Sequence, residues 1–318
     1  MTLVQLSYII AVANSKSFAA ASKKCYVTQP TLSMQIQKLE NELGIIIFDR
    51  SKQPVQPTFI GQKIIDQAHV IIRENERIYD IIQRESKEIK GVFRLGIIPT
   101  IAPYLLPLFI EGFSQKYPAL ELIIDELQTD QLEEKLKKDE LDAGILATPL
   151  HSTNLLERPI YYEPFVGYLS KDHRLSEGEM IKPEQLETSD LFLLKEGHCF
   201  RDHVLQICKY YGGGKDSVLR SINFEGGTLD TLMRLVDKNI GMTLIPYLAM
   251  KELAGTKKME RVRCFEEPVP KREVSIVYHR AHLKKQIIDI IEEEIKKSLP
   301  AELLSKDQSF VLDRNKMR

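Results

Sequence analysis

No run of apolar residues in this 318-residue chain approaches the ~20 that a membrane-spanning helix needs. The opening residues, Met1-Thr2-Leu3-Val4-Gln5, lack the order of basic segment, apolar segment and small-residue site that marks a secretory signal. Cysteine is scarce too. There are four in the chain, none in a Cys-x-x-Cys pair and none at zinc-ligand spacing to a pair of histidines. Membrane insertion and a zinc module are therefore excluded, and neither metal nor cofactor is expected. The expected location is the cytoplasm, where thiols stay reduced unless they serve redox chemistry. What remains, 43% hydrophobic and 28% charged, is the composition of a globular protein long enough for two or three domains. Its net charge of −1 hides an asymmetry: residues 1–58 carry six Lys/Arg against three acids, and the rest of the chain 38 against 42. A basic amino-terminal piece on an acidic body points to a nucleic-acid module attached to something else.

Residues 1–58 read as three helices and a wing. Leu3, Leu6, Ile9, Ile10 and Ala13 recur at steps of three and four. Ser17 is placed to cap the short Phe18–Ser22 helix, and Thr28 to cap a third with Pro30 in its first turn. That helix is predicted over Thr31–Leu43, stopped at Gly44, with Leu32, Ile36, Leu39 and Leu43 inward and Thr31, Ser33, Gln35 and Lys38 outward. A short helix, a tight turn and a polar-faced helix make a helix-turn-helix, whose second helix enters the major groove. Ile45–Arg50 and Val55–Thr58 are predicted as strands of the wing, with Arg50 and Lys52 near its tip. Phe18-Ala19-Ala20-Ala21, then Val27-Thr28-Gln29-Pro30-Thr31-Leu32-Ser33-x-Gln35-Ile36-x-Lys38-Leu39-Glu40, then Phe48-Asp49-Arg50 resemble the amino-terminal domain of LysR-type transcriptional regulators. The resemblance implies winged helix-turn-helix binding to promoter DNA. Gln29, Thr31, Ser33 and Gln35 would stand near bases, Arg50 at a phosphate or minor groove, and Pro30, Lys38 and Lys52 would complete the DNA face. Cys25 reads as core.

Residues 59–90 contain one glycine and no proline. Ile64, Ala68, Ile71, Asn75, Ile78 and Ile82 alternate steps of four and three, the seam of a coiled coil in which Asn75 would fix register. A dimerisation helix is expected, since two heads read two half-sites.

From Gly91 to about residue 300, short apolar strands alternate with helical stretches. Strands are predicted over Val92–Ile98, Leu120–Glu126, Ala143–Ala147, Pro164–Ser170, Leu191–Leu194, Ser217–Phe224, Met242–Pro246, Glu260–Phe265 and Glu273–Tyr278. Helices are predicted over Tyr104–Lys116, Asp130–Lys138 and Lys284–Leu299. The alternation argues for an α/β regulatory domain of two doubly wound subdomains built on parallel sheets. Subdomain I would take about 91–161 and 267–300, and subdomain II about 162–266, with a cleft between them as in periplasmic solute-binding proteins. Residues 301–318 read as a flexible tail. Thr100, Thr129 and Cys199 each follow a strand, so all three are expected at the ligand-binding edge of the sheets.

The stretch Gly197-His198-Cys199-Phe200-Arg201-Asp202 puts one thiol among polar groups, and Cys208 stands nine positions on beside the apolar Ile207. Free cysteines are most often inert small hydrophobes, and spacing alone leaves that reading open. This stretch, with Ile98-Pro99-Thr100-x-x-Pro103-Tyr104-Leu105-Leu106-Pro107 and Gln128-Thr129, resembles the peroxide-sensing branch of the LysR-type regulators. The resemblance implies a peroxidatic Cys199 that becomes sulfenic acid and a resolving Cys208 that closes a disulfide. It also implies hydrogen peroxide placed by Thr100, Thr129, His198, Asp202 and Arg272. RNA polymerase would be a partner, and the dimer would assemble further into a tetramer. Such a protein is a switch for antioxidant genes and not an enzyme. The alternatives are a LysR-type regulator that senses a metabolite with its cysteines incidental, a thiol peroxidase, and a solute-binding protein.

Overall fold

Thr2 accepts a hydrogen bond from the Gln5 amide while the Gln5 side chain accepts one from the Thr2 amide, and this capping box starts α1 (Leu3–Ser15) in the computed structural model of the chain. The structure describes residues 1–85, 89–150, 152, 154–187, 191–211, 225–279, 284–305 and 311–313. They form two units, Met1–Glu88 and Ile89–Arg318.

In the first unit, Ser17 caps α2 (Phe18–Lys24) and Thr28 caps α3 (Gln29–Leu43), with Pro30 in its first turn. Gly44 ends α3 in the left-handed region at φ 68°, where glycine is unstrained. Helix α3 thus begins two residues before the predicted Thr31, directly after its cap. Leu6, Ile9, Val12, Ala21, Leu32, Ile36 and Leu39 share one core with Ile47 and Phe48. Leu43, expected inward, is 37% exposed because it is the last residue of α3. The wing is reduced to β1 (Phe48–Asp49) and β2 (Gln56–Pro57), an antiparallel pair. Its shortness has a cause. The buried Glu40 carboxylate accepts the amides of Ile47 and Phe48, at 2.8 and 3.2 Å, and so takes donors a longer ladder would use.

Helix α4 (Phe59–Glu85) follows. Ile65 and Ala68 lie in the core of their own head, and Ile64, Ile71 and Ile72 pack against it. The expected seam is corrected there: Ala68 is 1% exposed within its own domain and has no surface to offer a second chain. The apolar stripe of α4 serves the head first. Farther along, Asn75 is half-buried and Ile78 is 57% exposed, whereas the side chain of Ile82 falls outside the described residues.

The second unit places β3 (Gly91–Ile97), α5 (Ala102–Lys116), β4 (Leu120–Glu126), α6 (Thr129–Lys137) and β5 (Ala143–Thr148) in a parallel arrangement, β3 between β4 and β5. Then comes β6, which runs from Leu155 to Leu169. It is followed by β7 (Met180–Ile181), β8 (Leu193–Leu194), α7 (Cys199–Tyr211), β9 (Glu225–Gly226), α8 (Leu229–Asp237), β10 (Met242–Pro246) and α9 (Tyr247–Glu252). The unit closes with β11 (Val262–Phe265), β12 (Lys271–His279) and α10 (Lys285–Ser298). The sheet order is β4-β3-β5-β12-β6-β11-β7, with β10 also on β6.

The sheet is mixed, which corrects the wholly parallel expectation. Strand β12 is antiparallel to both β5 and β6, and β10 is antiparallel to β6. The first ten residues of β6, Leu155 to Pro164, pair with β12, and Phe165 to Leu169 pair with β10. One strand therefore passes from the first subdomain into the second, and β12 brings the chain back. Each subdomain has its own core, one around Leu95, Ile145 and Ile288, the other around Phe165, Ile207 and Leu244.

The expected tail is partly docked. Leu303 is 1% exposed in the first core, and Leu312 is 3% exposed in the second. The Leu312 amide donates to the Lys271 carbonyl at 2.9 Å. The predicted strand over residues 217–224 lies outside the described residues. Among the described residues no helix is long and apolar enough to cross a membrane, and no group of three or more His, Cys, Asp and Glu is placed to hold a metal ion.

Candidate functional site

Cys199 is the first residue of α7 and Cys208 lies on the same helix. Both are free thiols, 2% and 1% exposed. Nine residues of helix advance ~13.5 Å and rotate half a turn. The two sulfurs therefore leave opposite faces: Cys199 joins the first core and Cys208 the second. Burial in apolar surroundings pushes the Cys208 thiol up to about 12. In this helix Cys208 is an inert thiol.

The residues before α7 meet the start of α6. Gly197 has φ +93°, and a Cβ there would lie 2.6 Å from Gln128 Oε1. Only glycine permits this approach. It brings the next residue, His198, to 3.4 Å between its Nε2 and Gln128 Nε2. Burial, and secondarily the charge of Lys195, hold His198 below the ordinary imidazole range, so it is neutral near pH 7. Gln128 is the N-cap of α6, and the following Thr129 is 1% exposed with its Oγ1 unpartnered among the described residues.

On the other side stands Arg272 of β12, a guanidinium 1% exposed. Its Nη1 donates to Thr100 Oγ1 at 2.9 Å and its Nη2 to the Thr100 carbonyl at 3.0 Å. Nε and Nη2 donate to Glu163 Oε2 at 2.9 and 2.7 Å. The guanidinium carbon stacks 5.1 Å from the ring centre of Phe200, the residue after Cys199. Glu163 Oε1 accepts the Leu248 amide at 3.0 Å. The Tyr161 hydroxyl is buried with no partner among the described residues, and burial holds it well above the ordinary phenol range.

Thr100, Arg272, Cys199 and His198 thus follow one another through direct contacts or chain neighbours, and Gln128 carries the line on to Thr129. Asp202 stands half-buried in the first turn of α7, where a carboxylate favours the helix amino end. Sequence reasoning missed Gln128 as a partner of His198 and Glu163 as the partner of Arg272. The pair Gln128-Thr129 sat in a motif already singled out. Nothing local marks Glu163, which lies 109 positions from Arg272.

On the DNA-reading side, Gln29, Pro30, Thr31 and Lys38 are exposed along α3. Ser33 and Gln35 are half-buried and already engaged, by Arg50 Nη1 at 3.2 Å and by Gln5 Nε2 at 3.3 Å. Arg50 is exposed in the hairpin turn, and it is also engaged within the head. Its Nη2 donates to the buried Glu40 at 3.0 Å, and its guanidinium lies 5.0 Å from the Phe18 ring centre. It ties the wing to α2 and α3. Lys52 is exposed at the hairpin, 3.4 Å from Gln56 Oε1. Tyr26, in the turn before α3, is 95% exposed at a left-handed φ of 55° and was not anticipated.

A winged helix-turn-helix joined to a two-lobed α/β domain defines a DNA-binding regulator of the LysR type. Residues 3–62 match the bacterial regulatory helix-turn-helix protein, lysR family, and residues 86–294 match the LysR substrate binding domain; the chain belongs to the LysR family of transcriptional regulators. Its place within that family is the OxyR-like, hydrogen peroxide-inducible branch. It is 34% identical over 278 residues to the hydrogen peroxide-inducible genes activator of Haemophilus influenzae, covering 87% of this chain and 90% of that one. The same identity holds with the DNA-binding transcriptional dual regulator OxyR of Escherichia coli K12, over 87% of this chain and 89% of that one. Among solved structures, a full-length OxyR of Pseudomonas aeruginosa carrying a cysteine-to-aspartate substitution superposes with a TM-score of 0.75 at 33% identity. That match covers 93% of this chain and 98% of the other.

Proposed function

We propose that this regulator senses hydrogen peroxide through Cys199 and converts the signal into shape through Cys208. The Cys199 thiolate attacks one oxygen of the peroxide. The O–O bond breaks, hydroxide leaves and takes a proton, and Cys199 becomes a sulfenic acid. The Cys208 thiolate then attacks that sulfur, the S–O bond breaks, and water departs as the disulfide forms. In total two thiols and one peroxide give one disulfide and two waters. The unpartnered Thr129 hydroxyl, Thr100 and the neutral His198 supply the donors and acceptors that hold the two peroxide oxygens and deliver the proton.

The observation that carries this reading is the placement of both thiols on one unbroken helix with their faces in different cores. A disulfide needs Cα atoms within roughly 7 Å, against ~13.5 Å along the helix. The bond cannot close while α7 is intact, so oxidation must rebuild α7 and the cores it pins. The change passes to the subunit contacts and to the spacing of the DNA heads in a dimer or tetramer, and so to RNA polymerase at the promoter. The protein acts in the cytoplasm as a stoichiometric switch, without turnover as an enzyme. Mass spectrometry after one equivalent of peroxide tests the reading. A Cys199–Cys208 disulfide is expected, and finding both thiols free refutes it. A Cys199→Ser regulator that still responds to peroxide in a promoter-reporter assay refutes it equally, and supports a metabolite sensor.

A further inference from the structure

We propose that Glu163 is a positioning residue of the redox site, which fixes Arg272 beside Cys199 and offsets its charge, so that the pair and not Arg272 alone sets the field at the thiol. The inference rests on the reading of Cys199 as the reactive thiol. Glu163 and Arg272 are direct partners across β6 and β12, the two strands that connect the subdomains. Each is 1% exposed, and both edges of the arrangement are occupied. Glu163 Oε2 takes two guanidinium hydrogens and Oε1 takes the Leu248 amide, while Thr100 takes two more guanidinium hydrogens. The guanidinium has no freedom to turn. It lies over Phe200, the chain neighbour of Cys199, at 5.1 Å from the ring centre.

In a low-dielectric interior a lone cation would dominate its surroundings. With a carboxylate 2.7 Å away it acts as half of a dipole, and its effect on a third group is much reduced. Other ionisable groups also stand near this end of α7, Lys195 among them, whose charge acts on His198. Burial keeps the phenols of Tyr161 on β6 and Tyr104 on α5 protonated, the latter pushed up to about 12, and keeps His198 neutral. Arg201 donates to the Leu194 carbonyl, and Asp202 stands half-buried in the first turn of α7.

The test is the pH profile of ultraviolet thiolate absorbance in the full-length protein, with the Cys199→Ser protein subtracted. Removing the carboxylate charge in Glu163→Gln should move the profile to lower pH and raise the thiolate fraction about tenfold on its acid side. Arg272→Gln should move it the other way. A folded Glu163→Gln protein with an unchanged profile overturns the proposal, because a merely structural role would not touch it. Should Glu163→Gln fail to fold, the double variant Glu163→Met/Arg272→Met decides, since apolar replacement of a whole buried pair is generally tolerated. Its profile should lie near that of the wild type, and a tenfold loss of thiolate there would mean that Arg272 acts uncompensated. The readout needs no peroxide, so failure of peroxide to oxidise Cys199 would defeat the sensor reading alone.

Discussion

Closing the Cys199–Cys208 disulfide should strip hydrogen-exchange protection from the second and third turns of α7. An α-helix over Cys199–Tyr211 bonds each amide from His203 onward to the carbonyl four residues back. Bringing residues ~13.5 Å apart to within roughly 7 Å leaves no helical path between them, so the amides of His203 to Cys208 lose these bonds. At about 0.5–1.5 kcal/mol net for each bond, the loss amounts to several kcal/mol. Phe200, Val204 and Ile207 are each no more than 3% exposed, and fully exposing such side chains costs about 1.5–3 kcal/mol apiece. The total rivals the 5–15 kcal/mol that holds a typical domain together. The oxidised form must therefore bury these side chains again in a different arrangement. The assay is exchange mass spectrometry of reduced and oxidised full-length protein. We expect faster exchange over residues 203–208 and altered exchange in the segments that line the second core. Identical protection in the two forms would refute the argument, whatever the mass spectrum says about the bond.

Four further outcomes follow from single contacts. Thr129→Val removes an unpartnered buried hydroxyl, so thermal stability should hold or rise by up to about 1 kcal/mol while stopped-flow oxidation of Cys199 slows tenfold or more. Gly197→Ala forces a side chain onto a left-handed backbone and into Gln128, with a loss of about 1–3 kcal/mol, read as a drop in melting temperature of several degrees. Arg50→Ala should destabilise the head by about 1 kcal/mol and weaken promoter binding without changing its salt dependence. A slope reduced by about one would show a phosphate contact instead. Because folding holds His198 below its ordinary value, the unfolded chain takes up its proton first. The folded state should lose stability as pH falls below about 6.5, and His198→Gln should flatten that part of a melting-temperature profile.

The elements that local chemistry dictates were legible in the sequence. Thr28, Pro30 and Gly44 mark α3 to within two residues, and the heptad steps mark α4 even though its first half packs on its own head. Only the end of the long β6 was legible, as the strand predicted from Pro164; Pro159 and Pro164 break the pattern before it, and only the partner strands show why it extends back to Leu155. Helices α8 and α9 were passed over between stronger strand signals. At the candidate site the cysteines, the two threonines and His198 could be named, since each sits in a recognisable short motif. Glu163 could not, because a buried ion pair between residues 109 apart leaves no local trace. The same holds for Glu40, whose carboxylate accepts the amides of Ile47 and Phe48 and pairs with Arg50.

If Cys199 is the sensing thiol proposed above, its burial also selects among oxidants. A thiol 2% exposed, between His198 and Phe200 in the chain and packed in the first core, presents almost no sulfur to the surface. A glutathione disulfide or a bulky lipid hydroperoxide meets a wall of packed side chains. On the proposed reading the core would work as a sieve ahead of the chemistry, with selectivity among oxidants set by size.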